Sequence, residues 1–449
     1  MSRHLASLNP QQREAVEATE GPVLVLAGAG SGKTRVITTR IAHLISNGIL
    51  PEQILAVTFT KKAAREMQQR VASLVGDLHA GGVTVCTFHS FCARLLRKHA
   101  DKLGQSNQFT ICDARDQAVT MRNALRELRV PDTEVRPVAA LSRISLWKNQ
   151  LVSVESAAAQ AGDDELEQLL AEAYRKYEAS LRRSRVLDFD DLLLFTLRLL
   201  KEHADVQTAL QERFQYLMVD EYQDTNGPQY ELLRALVGEA RNICVVGDDD
   251  QSIYGWRGAD VKKILGFEED FPGAKVVCLE TNYRSTPEIL EAANLLIKNN
   301  VTRHNKELKA FEDIGVPVTW LPLFDELHEA NFIVTEIRQT VERGEAQWGD
   351  FAILVRTQVQ PRAFEAEMRR QKIPYSLVGS QSFFDRKEVR DVLAYLRVIA
   401  NPDDEVSMLR VVNVPPRGVG KGSIDKAVEF ATSHGCTANT VLDLVAYPE

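Results

Sequence analysis

A glycine-rich segment near the start of the chain, AGAGSGKT, combines residue types that can bind phosphate. It follows the apolar run GPVLVL and precedes a helical pattern, so a strand, a loop and a helix are predicted in that order. Backbone amides in the loop could surround an anion, Lys33 could reach the outer phosphates, and Thr34 could ligate Mg²⁺. The P-loop pattern has glycine at the position of Ala27, so the match is one residue short. We expect a nucleoside triphosphate to contact Ala27, Gly28, Ala29, Gly30, Ser31, Gly32, Lys33, Thr34 and Arg35.

Two adjacent carboxylates follow a second apolar run in the segment FQYLMVDEYQDT. An NTPase needs one carboxylate for the Mg²⁺ shell and another to polarise the attacking water. We assign Asp220 to the metal and Glu221 to the water. Acidic pairs after a strand are also common as helix N-caps or solvated turns, and the presence of the P-loop favours the catalytic interpretation.

A third segment, GDDDQSIYGWRG, places three aspartates and a glutamine before two aromatic rings. Tyr254 and Trp256 lie between glycines rather than in a periodic apolar run, which is typical of exposed rings that stack on a flat ligand. The alternative is that Trp256 packs in a core, as tryptophan generally does. The aspartates are interpreted as turn residues rather than as further metal ligands.

The elements that must position these residues alternate between apolar runs and helical patterns. The runs ILAVTF, VTVCTF, NICVVG and AKVVCLE, with helical patterns between them, predict a parallel, doubly wound sheet. Ligands bind such sheets at the carboxyl ends of the strands, so the polar segments that follow each strand should share one face. Residues 111–194 break the alternation and are predicted to form a helical insertion. A second alternation begins after Arg284 and includes a predicted strand at FAILVRT.

The composition limits the classes of protein to which the chain can belong. A chain of 449 residues with 44% hydrophobic content predicts about three domains. The net charge of −8 argues only weakly against a nucleic-acid partner, because it does not describe a local basic groove. Six cysteines without a CxxC pair indicate reduced thiols. We expect no membrane partner and a cytoplasmic location, because the apolar runs are short and the first residues lack a signal-peptide core.

Six segments carry a resemblance to a known family, and they occur in the order AGAGSGKT, TFTKKAAREM, TFHSF, VDEYQDTN, VVGDDDQSIYGWRGAD and LETNYRST. In this set and order the chain resembles the UvrD/PcrA/Rep-type superfamily 1 DNA helicases. The resemblance implies an α/β fold with two RecA-like P-loop lobes, the second incomplete, each with a mainly helical insertion domain. The implied bounds are 1–110 and 195–280 for the first lobe, 111–194 for its insertion, 281–380 for the second lobe and 381–449 for the beginning of the second insertion.

The resemblance also implies that ATP and Mg²⁺ are the cofactors and assigns further contacts to ATP. Gln12, in the segment LNPQQREAV, would bind the adenine edge, and Tyr283 would stack on the adenine ring. Arg284 would reach the γ-phosphate as an arginine finger, and Gln251 would sense the same phosphate.

Implied DNA contacts come from the strand ends and from the aromatic segment. They are Phe59, Thr60, Lys61, Thr87, His89, Tyr254, Trp256, Arg257 and Arg356. His89 could equally be a structural histidine that forms hydrogen bonds within the fold. Lys148 in the insertion could touch a phosphate, although a solvated lysine is the default expectation. The acids of DFDDLLLF are interpreted as helix N-caps.

The function implied by the resemblance is that of an ATP-dependent 3′–5′ DNA helicase and single-stranded DNA translocase. Its partners would be single-stranded DNA and junctions between single-stranded and double-stranded DNA. The alternative is a nucleotide-gated DNA-binding module that does not unwind. The chain ends at AYPE, before segments like VHxxKGLE and YVAxTRA that the family carries. We therefore expect a fragment that hydrolyses ATP poorly and unwinds nothing.

Overall fold

A sheet of six parallel strands forms the centre of the structure, a computed structural model that describes residues 4–312, 314–357, 359–378, 387–434 and 436–441. The strands of the described residues are β1 Val23–Ala27, β2 Ile54–Thr58, β3 Thr84–Thr87, β4 Thr110–Ile111, β5 Val186–Leu187, β6 Tyr216–Val219, β7 Ile243–Gly247, β8 Lys275–Leu279, β9 Thr281–Asn282 and β10 Lys309–Ala310. The large sheet has the order β3-β2-β6-β7-β1-β8, while β4 pairs with β5 and β9 with β10. Every pairing is parallel, which confirms the predicted parallel sheet.

The inner strands of the large sheet, β1, β2, β6 and β7, form because their apolar runs are buried on both faces of the sheet. In β1, Val23 and Val25 point into one core, and Leu24 and Leu26 point into the other. The helices that flank the sheet cover both cores. The cysteines are free thiols, as predicted, and Cys86, Cys92, Cys112 and Cys244 are buried.

Helices connect the strands and build the insertion. Those of the first 236 residues are α1 Pro10–Glu17, α2 Lys33–Ser46, α3 Lys61–Val75, α4 Asp77–Ala80, α5 Phe88–His99, α6 Ala114–Glu127, α7 Pro137–Asn149, α8 Val154–Gln160, α9 Glu165–Arg183, α10 Phe189–Glu202, α11 Ala204–Arg213 and α12 Gly227–Leu236. The later ones are α13 Lys262–Leu265, α14 Phe267–Asp270, α15 Pro287–Ile297, α16 Glu326–Glu342, α17 Pro361–Arg370, α18 Lys387–Ala400, α19 Glu405–Val411 and α20 Lys421–His434. None of the described helices is both long enough and apolar enough to cross a membrane.

Helices α6 to α9 form the region where the sequence predicts an insertion. They enclose a core of their own that includes Met121, Ile144, Trp147 and Tyr174. The chain enters this region through β4 and leaves it through β5, and these two strands lie side by side as a parallel pair. The bounds of 111–194 remain a prediction.

A second compact unit spans Pro317–Tyr395. Within it, α16 packs against α17 through a small core that contains Val334 and Phe364. The described residues of this unit form no strand, so the prediction of a strand at FAILVRT is wrong. An apolar run favours extended backbone, but a strand also needs a hydrogen-bonded neighbour, and the run alone cannot supply one. The predicted boundary between 380 and 381 and the segment AYPE lie outside the described residues.

Candidate nucleotide and DNA site

The glycine-rich loop between β1 and α2 forms a tight cradle. Gly30 has a φ of 69°, in the left-handed region that favours glycine. A Cβ at this position would lie 2.7 Å from the Arg284 Cβ and 2.7 Å from the Asn282 Nδ2, so a side chain is excluded as well. Asn282 Nδ2 donates a hydrogen bond to the Ala29 carbonyl oxygen at 2.6 Å, which holds the loop from the far side. Position 27 does not require glycine, because Ala27 is the last residue of β1 and lies buried in extended backbone.

Lys33 begins α2 and points toward the end of β6. Its Nζ lies 3.6 Å from Glu221 Oε2 and is buried without a hydrogen-bond partner among the described residues. An ammonium group has three donors, so a buried one without partners is suited to accept an anion beside it. The structure thus brings the predicted phosphate-binding lysine and the predicted water-polarising glutamate together.

The acidic residues after β6 suit a divalent cation. Burial, and then the neighbouring Glu221, raise the pKa of Asp220 to about 7, while Lys33 acts in the opposite direction. Burial and Glu221 also raise the pKa of Asp224 to about 6, and one of its carboxylate oxygens is buried without a hydrogen-bond partner. A cation here would stabilise the ionised forms. With the Thr34 hydroxyl in the first turn of α2, these groups supply the oxygen ligands that Mg²⁺ prefers.

Gln12 and Tyr283 approach the P-loop from another side. Gln12 is buried, and its Nε2 donates a hydrogen bond to the Ser31 carbonyl oxygen at 2.9 Å. Its Oε1 accepts a hydrogen bond from the backbone N–H of Asn9, which caps α1. The Asn9 Nδ2 in turn donates to the Tyr283 hydroxyl at 2.9 Å. The two residues assigned to adenine are therefore linked through Asn9 beside the loop, and their contacts with adenine remain predictions.

The arginines near the loop are exposed. Arg284 places its Cβ against Gly30, and its backbone N–H donates a hydrogen bond to Asn282 Oδ1 at 2.8 Å. Arg35 donates a hydrogen bond to the Ser7 carbonyl oxygen at 2.7 Å. The arginine-finger role of Arg284 remains a prediction.

The three aspartates after β7 are ion-paired with a basic segment, RHNK, at 303–306. Lys306 Nζ lies 3.0 Å from Asp248 Oδ1 and 2.7 Å from Asp250 Oδ2, and it also contacts Asp249. Arg303 makes a bidentate contact with Asp250. Although burial alone would raise it, hydrogen bonds from His304 and Lys306 hold the pKa of Asp249 below its usual range. The aspartates thus fasten the loop, and Gln251 follows them with its side-chain amide donating to Asp248.

The last part of this loop forms an exposed aromatic surface together with Phe59. The rings of Phe59, after β2, and Tyr254 are stacked at a centroid distance of 5.4 Å and an interplanar angle of 22°. The Trp256 ring lies 6.4 Å from Tyr254, and the Arg257 guanidinium lies 4.5 Å from the Trp256 ring centroid. Trp256 is 66% exposed and belongs to neither core of the sheet. These features favour an exposed stacking ring over the alternative of core packing.

Comparison with known proteins decides the family. Residues 8–272 match the family model described as the UvrD/REP helicase N-terminal domain, and residues 277–442 match the UvrD-like helicase C-terminal domain. The chain belongs to the UvrD/REP helicase family. Similar relatives are the ATP-dependent DNA helicases PcrA of Staphylococcus aureus and Bacillus subtilis, both 45% identical over 432 residues, or 96% of this chain. The alignments cover 59% and 58% of those relatives, so the chain spans about three-fifths of their length.

Two threonines assigned to DNA in this UvrD/REP family member cap helices in the structure. The Thr60 hydroxyl accepts a hydrogen bond from Ala63 N at the start of α3, and the Thr87 hydroxyl accepts one from Ser90 N at the start of α5. A short polar side chain between a strand and a helix satisfies free backbone donors in this way. The structure therefore supplies a folding role for both residues, and their DNA contacts remain predictions.

The other residues assigned to DNA differ in their surroundings. Lys61 is exposed in the first turn of α3. His89 meets the Phe189 ring edge-on at 5.7 Å, and burial lowers its pKa, which favours the neutral form. Arg356 is exposed in the unit Pro317–Tyr395.

Lys148 is not the solvated lysine that the sequence suggested. It is 1% exposed, and its Nζ lies 2.7 Å from Glu178, 2.8 Å from Asp188 and 2.7 Å from Asp191. Although burial alone would lower it, these carboxylates hold the pKa of Lys148 well above its ordinary value. A buried lysine requires such partners, and here they come from α9 and the start of α10. The N-cap interpretation of DFDD is confirmed, because Asp188 and Asp191 form the capping box of α10.

Asn149, the next residue, connects the insertion to both parts of the site. Its Oδ1 accepts a hydrogen bond from the Asn226 side chain, which follows the acidic segment after β6. Its Cβ would lie 2.7 Å from a Cβ at Gly258, which follows the aromatic turn. Gly258 has a φ of 80°, so the turn needs glycine on two grounds.

Several residues of the site escaped the sequence analysis. They are Asn9, Gln223, Asp224, Asn282 and the basic segment 303–306. Among these residues, only Asp224 could have been identified from the sequence. It is a carboxylate three residues after Glu221, a spacing that can bring both side chains to the same site. The others act through hydrogen bonds and ion pairs that depend on distant parts of the chain.

Proposed function

We propose that this chain acts in ATP-dependent DNA unwinding, coupling ATP hydrolysis to 3′–5′ movement along single-stranded DNA and to strand separation at junctions. The loop 247–258 carries the proposal. It contains Gln251, assigned to the γ-phosphate, and three residues later it presents the exposed rings of Tyr254 and Trp256. One short loop therefore offers chemistry for a phosphate and for bases. The relatives' name, ATP-dependent DNA helicase, supports the same proposal.

The nucleotide half of the mechanism uses groups that already face one another. Lys33 would leave Glu221 and contact the phosphates, since its Nζ is buried and unpartnered by hydrogen bonds. Glu221 would then orient the attacking water, and Arg284 would stabilise charge that develops on the γ-phosphate. Thr34 and Asp220 would hold Mg²⁺, which when bound supplies positive charge to the phosphates.

The DNA half of the mechanism is sequence-independent. Stacking on Trp256 and Tyr254 accepts any base, because every base presents a flat π-face. The Arg257 guanidinium beside Trp256 can pair with the backbone. Release of one base and engagement of the next during each ATP cycle would move the chain along the strand. Because its proposed substrate is DNA, the enzyme would work in the cytoplasm.

The test compares ATP hydrolysis with and without oligo-dT, and then unwinding of duplexes with a 3′ tail, a 5′ tail or no tail. If the expectation of a fragment is correct, these 449 residues should hydrolyse ATP slowly, DNA should still stimulate that hydrolysis, and no duplex should be unwound. If the chain does unwind DNA, the 3′-tailed duplex should be the preferred substrate. Lys33→Ala should abolish both activities, while Lys102→Ala, which removes only an exposed ion pair with Asp205, should preserve them. Nucleotide-dependent DNA binding without DNA-stimulated hydrolysis or unwinding would support the gated binding module instead. Hydrolysis that ignores DNA, with no DNA binding, would contradict both functions.

A further inference from the structure

Gln223 is a buried glutamine that bridges the two halves of the site. Its Nε2 donates a hydrogen bond to Glu221 Oε2 at 2.9 Å, and its Oε1 accepts one from the backbone N–H of Asp248 at 3.0 Å. The orientation of the amide is fixed by its partners, because a carboxylate only accepts and a backbone N–H only donates. Gln223 is 2% exposed, so water does not compete for either bond.

The loop 247–258, which carries the aromatic rings, makes further contacts with Gln223. Ser252 Oγ donates a hydrogen bond to the Gln223 carbonyl oxygen at 3.3 Å. A Cβ at Gly247 would lie 2.7 Å from Gln223 Oε1, so the end of β7 packs directly against the amide. Asp248 then accepts the side-chain hydrogen bond of Gln251. A displacement of this loop would therefore strain or break the hydrogen bonds that hold the Gln223 amide.

Among the described residues, two side chains contact the Glu221 carboxylate, and Gln223 is one of them. The other is Lys33, whose Nζ lies 3.6 Å from the same oxygen. Once Lys33 engages phosphate, the hydrogen bond from Gln223 is the contact that remains to orient the carboxylate. Glu221 has a φ of 52°, which non-glycine residues rarely adopt, so its backbone is also held in one unusual conformation.

We propose that Gln223 is the positioning residue that links DNA binding to hydrolysis. The inference rests on the proposed function and deepens it. Stacking of a base on Tyr254 and Trp256 shifts the loop 247–256, the loop carries the Gln223 amide with it, and the amide sets the orientation of Glu221. Gln223 acts through Glu221 and does not itself touch the nucleotide.

The experiment uses the 449-residue chain and two substitutions, Gln223→Met and Gln223→Glu. Methionine fills a similar volume without hydrogen bonds, while glutamate keeps an acceptor for Asp248 N–H and repels Glu221. For each variant, the Kd for fluorescein-labelled oligo-dT is measured with and without Mg²⁺ and a non-hydrolysable ATP analogue. The kcat and KM for ATP are measured with and without oligo-dT. Gln207→Met is the matched control, because among the described residues Gln207 Nε2 donates its hydrogen bond to the Ala235 carbonyl oxygen, in the last turn of α12, and not to Glu221 or the loop 247–258.

In both Gln223 variants we expect the Kd for oligo-dT to be about the same with and without the ATP analogue, so that the ratio of the two values approaches 1. The reason is that binding of the analogue no longer affects binding of DNA. The DNA-stimulated kcat should fall about 10- to 100-fold, as expected for a lost hydrogen bond to a charged group, while KM for ATP changes less than about threefold. A residue with only a structural role would move the melting temperature and KM together instead. If Gln223→Glu does not fold, Gln223→Met alone decides the question.

The outcomes separate the inference from the proposed function. A wild-type chain that shows coupling, beside a Gln223→Met variant that shows the same coupling, overturns the role of Gln223 and leaves the function intact. A wild-type chain with neither DNA stimulation nor coupling overturns the proposed function, and the role of Gln223 falls with it. Loss of coupling in Gln207→Met as well would mean that the loss is not specific to Gln223 and would also overturn the inference.

Discussion

Lys148→Met should cost the chain much of its stability, because it removes the cation that pairs with three buried carboxylates. Lys148 is 1% exposed, and three carboxylates lie within 2.8 Å of its Nζ. At an effective dielectric constant of about 20, each contact of this length amounts to about 6 kcal/mol of gross attraction. Desolvation and repulsion among the carboxylates offset most of that sum. Breaking a buried ion pair by removing one partner costs about 3–5 kcal/mol, and we expect this loss at pH 8.

The loss should become smaller as the pH falls. Burial and the charge of Asp188 already raise the pKa of Asp191 well above its usual range, with Lys148 acting against them. Without Lys148 that opposition disappears, so the carboxylates take up protons at higher pH than before. A protonated carboxyl needs no cation, and the difference in the free energy of unfolding should therefore be smaller at pH 5 than at pH 8.

Urea unfolding of the wild type and the variant at both pH values measures the effect. Lys102→Met is the matched control, because its pair with Asp205 is exposed and such pairs contribute about 0–1 kcal/mol. The double variant Lys148→Met with Glu178→Gln should recover part of the loss, since it removes one of the stranded charges. A loss at pH 8 no larger than that of Lys102→Met would refute the reasoning.

Three further predictions concern single positions. Glu221→Gln should bind a fluorescent ATP analogue as the wild type does and hydrolyse ATP at least about 100-fold more slowly, which phosphate release measures; near-normal turnover would contradict the assignment. Trp256→Ala should weaken oligo-dT binding by about 1–3 kcal/mol in fluorescence anisotropy and leave ATP affinity unchanged, whereas unchanged DNA binding would return Trp256 to a packing role. Asp190→Asn tests pH dependence, because burial and then Asp188 raise the pKa of Asp190 to about 6. Since the folded pKa lies above the unfolded one, ionised Asp190 destabilises the fold above pH 6 and not below about pH 4. The variant should therefore raise the free energy of unfolding by about 3 kcal/mol at pH 8 and by little at pH 4, and an equal change at both would count against this assignment.

The parts of the fold that rest on local patterns could be predicted from the sequence. The inner strands of the large sheet are apolar runs buried on both faces, so these strands could be recognised from their local sequence. The P-loop could be predicted because glycine marks positions where no other residue fits, as the contacts around Gly30 show. The exposure of Trp256 could be predicted because glycines flank it in place of an apolar pattern.

The parts that rest on distant partners could not be predicted in this way. Lys148 depends on carboxylates 30 to 43 residues further along the chain, and its own neighbours give no sign of them. The aspartates after β7 suggested a turn, because their cations lie in the segment 303–306, more than 50 residues away. Gln223 escaped notice because one of its partners is a backbone N–H, which every residue except proline carries. The strand expected at FAILVRT failed for a related reason, since a ladder requires a second strand.

The manner in which the insertion is attached limits how it can move. A rigid body held at one place can turn freely, and one held at two separated places can turn only about the line that joins them. The insertion is held at two places: at the neck β4–β5, and at the adjacent residues Lys148, which pairs with Asp191 in α10, and Asn149, which contacts Asn226 and Gly258. Rotation about any other line would expose the buried charges around Lys148 or pull Asn149 from its contacts. Any motion of the aromatic turn relative to the insertion must therefore either break the contacts of Asn149 or carry that residue with the turn.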